Sequence, residues 1–346
     1  MLGAATDGSM WVWNPAGSMS QTAAIPSVTQ AITDIDIDRE HGLVAVADSG
    51  VGFWSYDDPL TEVHPRIDVE GDDNFVLSVA VDPSRSQVLV GPRSGALARY
   101  DYGATTPSDT MELDSPIFRL AVSPDDADAA VSLANGTAVI VDLQTWTQVA
   151  TLDAQDNLTY VAEWSAAGDR LATAGRDGII RIWDSSNWSM ISEMDKLTSS
   201  IKDLTWSPDA SRIFAAGEDG TVHAYDPATG AVVHRLRGPG TRVSSVAVSP
   251  DGSKLAAGEA DGRLWLWDAK TLELLAGPLS RNTSAVYGLA WVDDTTLIAA
   301  DQRAVIWQMD PSVWHQQVCE QLQTAPIDDL WSDVAADIDR IDVCPS

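Results

Sequence analysis

"GRDGIIRIWD", residues 175–184, sets an Asp-Gly pair ahead of β-branched residues, a tryptophan and a closing aspartate. The phrase recurs as "ATDGSMWVWN" (5–14), "GEDGTVHAYD" (217–226) and "EADGRLWLWD" (259–268). Weaker copies read "ADSGVGFWSYD", "PRSGALARYD", "LANGTAVIVD" and "ADQRAVIWQMD". An active site is built once, whereas a folding unit is copied, so the repetition marks a structural unit. Anchored on Trp13, Trp54, Tyr100, Val141, Trp183, Tyr225, Trp267 and Trp307, the copies lie roughly 40 to 46 residues apart, a period that signals a propeller or a solenoid.

One unit shows what is being copied. Residues 243–277, "VSSVAVSPDGSKLAAGEADGRLWLWDAKTLELLAG", divide into four short apolar runs. The breaks "SPDGS", "EADG" and "DAKT" supply the Pro, Gly and Asp that turns require. Such runs are antiparallel strands joined by hairpins. They are apolar on both faces, which suits a sheet sandwiched between two neighbours. Identical sheets packed about an axis meet that need and leave only short edges, and this is the β-propeller solution. Each indole then covers about 150–250 Å² between adjacent sheets. The expectation is an all-β propeller with Trp183, Tyr225 and Trp267 between blades and Asp177, Asp219 and Asp261 in the turns between second and third strands.

An Asp-Gly turn, an aromatic six residues after the Asp, a closing Asp and "SPD" turns at Ser207-Pro208-Asp209 and Ser249-Pro250-Asp251 resemble the WD-repeat family over roughly residues 1–310. In that family the turn Asp shares a hydrogen-bonded network with a His, a Ser or Thr and the Trp. The resemblance carries the Asp role to Asp177, Asp219 and Asp261 and the aromatic role to Trp183, Tyr225 and Trp267. No histidine matches, because positions 41, 64, 223, 234 and 315 fall elsewhere, so these turns must be satisfied another way.

Eight third strands occur, but not eight complete units. The last one, "VYGLAW", "TLIAA" and "AVIWQM", lacks an outer strand, and "SMSQTAAIP" (18–26) is an outer strand lying ahead of the first complete unit. Pairing them gives seven four-stranded blades, with latched ends and no open edge. An eight-bladed ring with two defective blades is the alternative. The expected division is a hairpin remnant of an upstream blade at 1–17, a propeller at 18–310 and a helical extension at 311–346. Apolar spacing at Val313, Trp314, Val318 and Leu322, then a helix start at Thr324 with Pro326 and Asp328, gives the extension its two helices. With Trp314, Cys319, Thr324, Trp331 and Cys344-Pro345 in order, it resembles the C-terminal extension of multidomain bacterial, often actinobacterial, WD-repeat regulators. That resemblance implies an upstream signalling domain outside this sequence.

Composition removes whole classes of function. Against 51 acidic residues stand 21 basic ones, for a net charge of −30, which repels phosphate backbones and anionic lipid. Nucleic acid is not the expected partner. No apolar run is long enough to span a bilayer, and "MLGAATDGSM" lacks the regions of a signal peptide, so a cytoplasmic setting is expected, with the extracytoplasmic domain of a longer anchored protein as the alternative. Cys319 and Cys344 match no zinc pattern; they would form one disulfide in an oxidising compartment and stay thiols in a reducing one.

Chemistry is equally sparse. No nucleophile elbow, phosphate loop or zinc-protease motif occurs, and His223 sits in a third strand where other copies hold ordinary residues. "DIDIDRE" places Asp34, Asp36 and Asp38 on one strand face without the glycine and terminal glutamate of a calcium loop; aligned with other units, Asp36 takes the place of Ala80, Ala121 and Ala247. No catalytic residue, cofactor or metal is expected. A surface remains. The residue after the first apolar one of each inner strand points near the central opening: Thr33, Leu77, Phe118, Tyr160, Lys202, Ser244 and Tyr287. Aromatics anchor interfaces, so Phe118, Tyr160, Lys202 and Tyr287, with Arg176, Glu218 and Arg242 on adjacent turns, form the expected protein- or peptide-binding face of a scaffold or sensor module. A propeller lyase or hydrolase using channel residues, or a lid inhibiting an upstream domain of the same protein, are the rival readings.

Overall fold

The computed structural model describes the backbone of residues 2–4, 10–12 and 21–24, and residues 32–56, 61–69, 75–236, 238, 240–280, 284–302 and 304–309. Among these the chain is nearly all strand, its one helical turn being a short 3-10 segment at Pro83–Arg85. The expected two-helix extension and both cysteines lie outside the described residues. The chain separates into two compact units, Met1–Thr22 with Trp307–Ser346, and Ala23–Ile306. The first contains a two-stranded antiparallel hairpin, Leu2–Ala4 against Met10–Val12.

Seven four-stranded antiparallel sheets follow one another. Their inner strands are Asp34–Asp38, Val76–Asp82, Ile117–Val122, Thr159–Trp164, Ile201–Trp206, Val243–Val248 and Gly288–Trp291, here called blades 1 to 7. In blades 1 to 6 the chain runs outward strand by strand. Blade 7 takes its fourth strand, Gln21–Ala24, from the far end of the sequence and orders it beside Ala304–Gln308. Each inner strand packs against the next, and the seventh packs against the first. The ring is closed with seven blades, which decides against eight.

Closure follows from two-sided sheets. The apolar core is divided into separate clusters, each at a seam between adjacent blades. Ala130, Ile140 and Leu152 of blade 3 meet Leu171 and Trp183 of blade 4; Ile182 and Ile180 meet Ile213 and Tyr225; Phe214 and Leu236 meet Trp265 and Trp267. The seam between blades 7 and 1 brings Ile298, Ala300 and Ile306 against Ile35, Val44 and Val46. The expected aromatics are in these seams: Trp183 is 7% exposed, Tyr225 0% and Trp267 1%.

The Asp-Gly turns lie where the repeat placed them. Gly178 adopts φ +76°, and a Cβ there would fall 2.6 Å from the Ser199 carbonyl oxygen and 2.7 Å from that of Leu197. Backbone handedness and space thus both demand glycine. Each turn Asp finds a different partner. Asp177 accepts from Arg181 at 2.7 Å and from the N–H of Ile179 at 2.9 Å, while Trp183 Nε1 donates to Thr173 Oγ1 at 3.0 Å. The Trp183–Thr173 bond is present, and the side-chain partner of Asp177 is an arginine. In blade 5 the residue four places after the Asp is His223, buried, with Nε2 3.0 Å from Asp219. His223 lies in the third strand, as expected, and its side chain gives the Asp219 turn its partner. In blade 6 the same place is Trp265, which donates to the buried Glu259 at 2.8 Å, and Asp261 pairs with Arg263.

Candidate functional site: a bulged face around the axis

Irregular register is what builds the face. In blades 2 to 6 the first ladder pair of the inner strand is followed by a slip that leaves one residue unpaired: Leu77, Phe118, Tyr160, Lys202 and Ser244. These are the residues selected from the sequence. A bulge bends the strand and re-aims a side chain, so a strand otherwise buried between neighbours can turn one side chain towards the end of the ring. Thr33 and Tyr287 hold the equivalent places, donating their N–H groups to Ala47 and Ala300, residues already paired with Asp34 and Gly288.

The turns are locked beside the bulges. The N–H groups of Arg93, Ala134, Arg176, Glu218 and Ala260 donate to the carbonyls of Phe75, Pro116, Leu158, Ser200 and Arg242, which directly precede the inner strands. Bulge side chains and turn side chains therefore share one surface. Phe118 meets Tyr160 edge to face with ring centroids 5.4 Å apart. Lys202 Nζ lies 4.1 Å from the centroid of the Tyr160 ring and 3.4 Å from Glu218. Glu218 is also 3.9 Å from Arg242. Burial alone would raise the Glu218 carboxyl, but Lys202, the Ser200 hydroxyl and Arg242 outweigh it and hold the carboxyl below its ordinary value. Five of the seven expected residues, Phe118, Tyr160, Lys202, Glu218 and Arg242, thus form one connected chain over blades 3 to 6. Tyr287, 42% exposed, and Arg176, also exposed, are not linked to it by any described contact.

A group of buried charges joins the inner strands as well. Arg119 extends from blade 3 to Asp34 of blade 1 at 2.9 Å and approaches Asp203 of blade 5 at 3.7 Å. A side chain that skips the intervening blades on both sides must cross the axis. Asp34 also accepts from Ser78 and Val79 of blade 2, and Asp203 from the N–H of Val246 in blade 6. Burial opposes the guanidinium charge, yet Asp34 and Asp203, then Glu163 and Asp36, more than offset it and raise its pKa. Burial pushes Glu163 up to about 8 against the pull of Arg119, and Asp36 up to about 6 against the N–H groups of Val81 and Ile37. The signal was readable as polar residues one and three places after the bulge position, in "IFRLAV", "TYVAEW" and "IKDLTW".

This axial group ties the blades together. The three carboxylates of "DIDID" separate: Asp34 turns to Arg119, Asp36 to backbone N–H groups, and Asp38 to His41 at 2.8 Å and the Tyr102 hydroxyl at 2.7 Å. Among the described residues no three His, Cys, Asp or Glu side chains converge as metal ligands. Nor is any described helix long and apolar enough to cross a membrane.

Blades of this pattern, closed in a ring of seven and presenting bulged side chains at one end, define a seven-bladed β-propeller. Comparison with known proteins agrees. Residues 146–184 and 230–268 match the model of the WD domain, G-beta repeat, and residues 186–239 that of the anaphase-promoting complex subunit 4 WD40 domain. Similar proteins include Transducin-like enhancer protein 2 of Mus musculus, 29% identical over 38% of this chain and 18% of its own, and Protein groucho of Drosophila melanogaster, 28% identical over 32% and 16%. Transcription factor unc-37 of Caenorhabditis elegans is 27% identical over 32% of this chain and 18% of its own. The matched stretch spans less than a fifth of each of these relatives. Among solved structures, the WD40 beta propeller domain of Doa1 superposes with a TM-score of 0.73 at 18% identity, over 84% of this chain and 97% of that one.

Proposed function

We propose that the protein is a non-enzymatic interaction module, a rigid ring that holds a protein or peptide partner on the bulged face and serves a larger regulatory protein. The observation that carries this is the connected row Phe118, Tyr160, Lys202, Glu218 and Arg242, in which rings and charges stand side by side on rigid strands. Aromatic side chains flanked by charge are the usual anchors of an interface, and a preformed surface spares a partner much of the ordering cost. The resemblance to a named transcription factor and to Transducin-like enhancer protein 2 supports an assembly role. The axial charges belong to inter-blade pairing, which weighs against the enzyme reading.

Affinity capture with the wild type and with a Phe118→Ala, Tyr160→Ala, Tyr287→Ala triple variant tests the proposal. The variant is expected to lose at least one partner while melting as a folded protein. Recovery of every partner by both would place binding elsewhere.

A further inference from the structure

A second surface lies on the rim, away from the bulged face. Outer strands present one row of unpaired backbone groups, and here they also carry exposed apolar side chains: Val63, Val149, Met190, Ile191, Val233, Leu274 and Leu275. Most sit among neutral or acidic neighbours, such as Gln148 and Ala150 beside Val149, or Glu273 beside Leu274. Val233, 48% exposed on the outer strand Val232–Leu236 of blade 5, is instead followed directly by His234 and Arg235.

That strand forms one wall of an open groove of about 640 Å³, whose other wall is the connection from blade 4 through Asp195, Lys196 and Leu197. The connection is fixed in place: the Asp195 N–H donates to Gly230 at 2.8 Å, its carbonyl accepts from the Tyr225 hydroxyl at 3.2 Å, and its carboxylate accepts from the Val232 N–H at 3.3 Å. The groove is therefore preformed. Its charge is the reverse of the molecule's. The chain carries 51 acidic and 21 basic residues, but here Lys196 and Arg235 face a single carboxylate, Asp195, already held by backbone. Neither Lys196 nor Arg235 pairs with a described carboxylate. On a surface this acidic, two cations without a described carboxylate partner beside an exposed valine favour an anionic partner with an apolar side chain, because opposite charge holds it here against the net acidic field.

We infer that this groove between blades 4 and 5 is a docking site for an acidic, extended peptide segment, its carboxylates on Lys196 and Arg235 and an apolar side chain on Val233. The site is independent of the bulged face, and each can fail alone.

The test uses the protein as it stands and a fluorescein-labelled peptide of glutamates flanking a leucine, with lysine-for-glutamate and glycine-for-leucine versions as controls. Anisotropy should show saturable binding of the glutamate–leucine peptide, no binding of the lysine version, and weaker binding of the glycine version. A Lys196→Glu, Arg235→Glu variant should weaken the first by about tenfold or more, as loss of paired charge across an interface does. Both side chains are exposed, so thermal melting of the variant should match the wild type. The Phe118→Ala, Tyr160→Ala, Tyr287→Ala variant should bind the peptide unchanged. Absence of saturable binding, equal affinity in the charge-reversed variant, equal binding of the glycine version, or loss only in the face variant would each overturn the assignment.

Discussion

Arg119 shows how much one side chain can hold. Its guanidinium pairs with Asp34 and approaches Asp203 across the axis, so Arg119→Met would leave both carboxylates buried without their counter-charge. Breaking a buried pair from one side costs about 3–5 kcal/mol, and denaturant melts at neutral pH should show a loss of that order. The loss should shrink as pH falls, because both carboxyls then hold protons more readily in the folded state. A variant as stable as the wild type at neutral pH would show the axial pairing to be idle. Glu163 and Asp36 add a pH dependence of known sign. Their folded values, about 8 and about 6, lie above the ordinary carboxylate range, so the folded state binds the extra protons. The stabilisation is complete below about pH 4 and is lost as pH rises through about 6 for Asp36 and about 8 for Glu163. Melting temperature should therefore fall between about pH 4 and about pH 8, and Glu163→Gln should flatten the upper part of that fall. An unchanged slope in the variant would assign the pH dependence to other groups.

At the scale of the strand and turn, the repeat spoke plainly where the physics is local and fell silent where it is not. The Asp-Gly turn of residues 177 and 178 was legible because a left-handed φ beside a close backbone carbonyl admits little but glycine. Trp183 was legible as seam core because a strand apolar on both faces has only a neighbour to bury against. Trp183→Ala should cost about 3–5 kcal/mol, read by chemical denaturation; a cost below 1 kcal/mol would mean that the seam between blades 3 and 4 closes without the indole. The bulge residues were legible as a position but not as a device, since register slips are set by pairing with the next strand. The roles of Arg181 and His223 were hidden for a related reason: each turn Asp takes a side-chain partner from the strand that follows, and residues of different type and position supply it.

For the molecule as a whole, the seven-bladed count came from an arithmetic of missing strands, a three-stranded last unit and an orphan strand at 18–26, and Gln21–Ala24 takes the vacant outer place. The axial charge group could not be read the same way. Arg119, Asp34 and Asp203 come from three blades that are not neighbours, and only a closed ring brings them together. The face lies between these cases, since five of its residues connect while Tyr287 and Arg176 stand apart from the connected row. If binding belongs to that face, position should decide contact. Replacing Tyr160, and separately Val149 on an outer strand, with a photo-crosslinking phenylalanine in the full chain gives the most direct measurement. A partner crosslinked through position 160 and absent from position 149 is the predicted result; a partner captured through 149 and never through 160 would contradict the account.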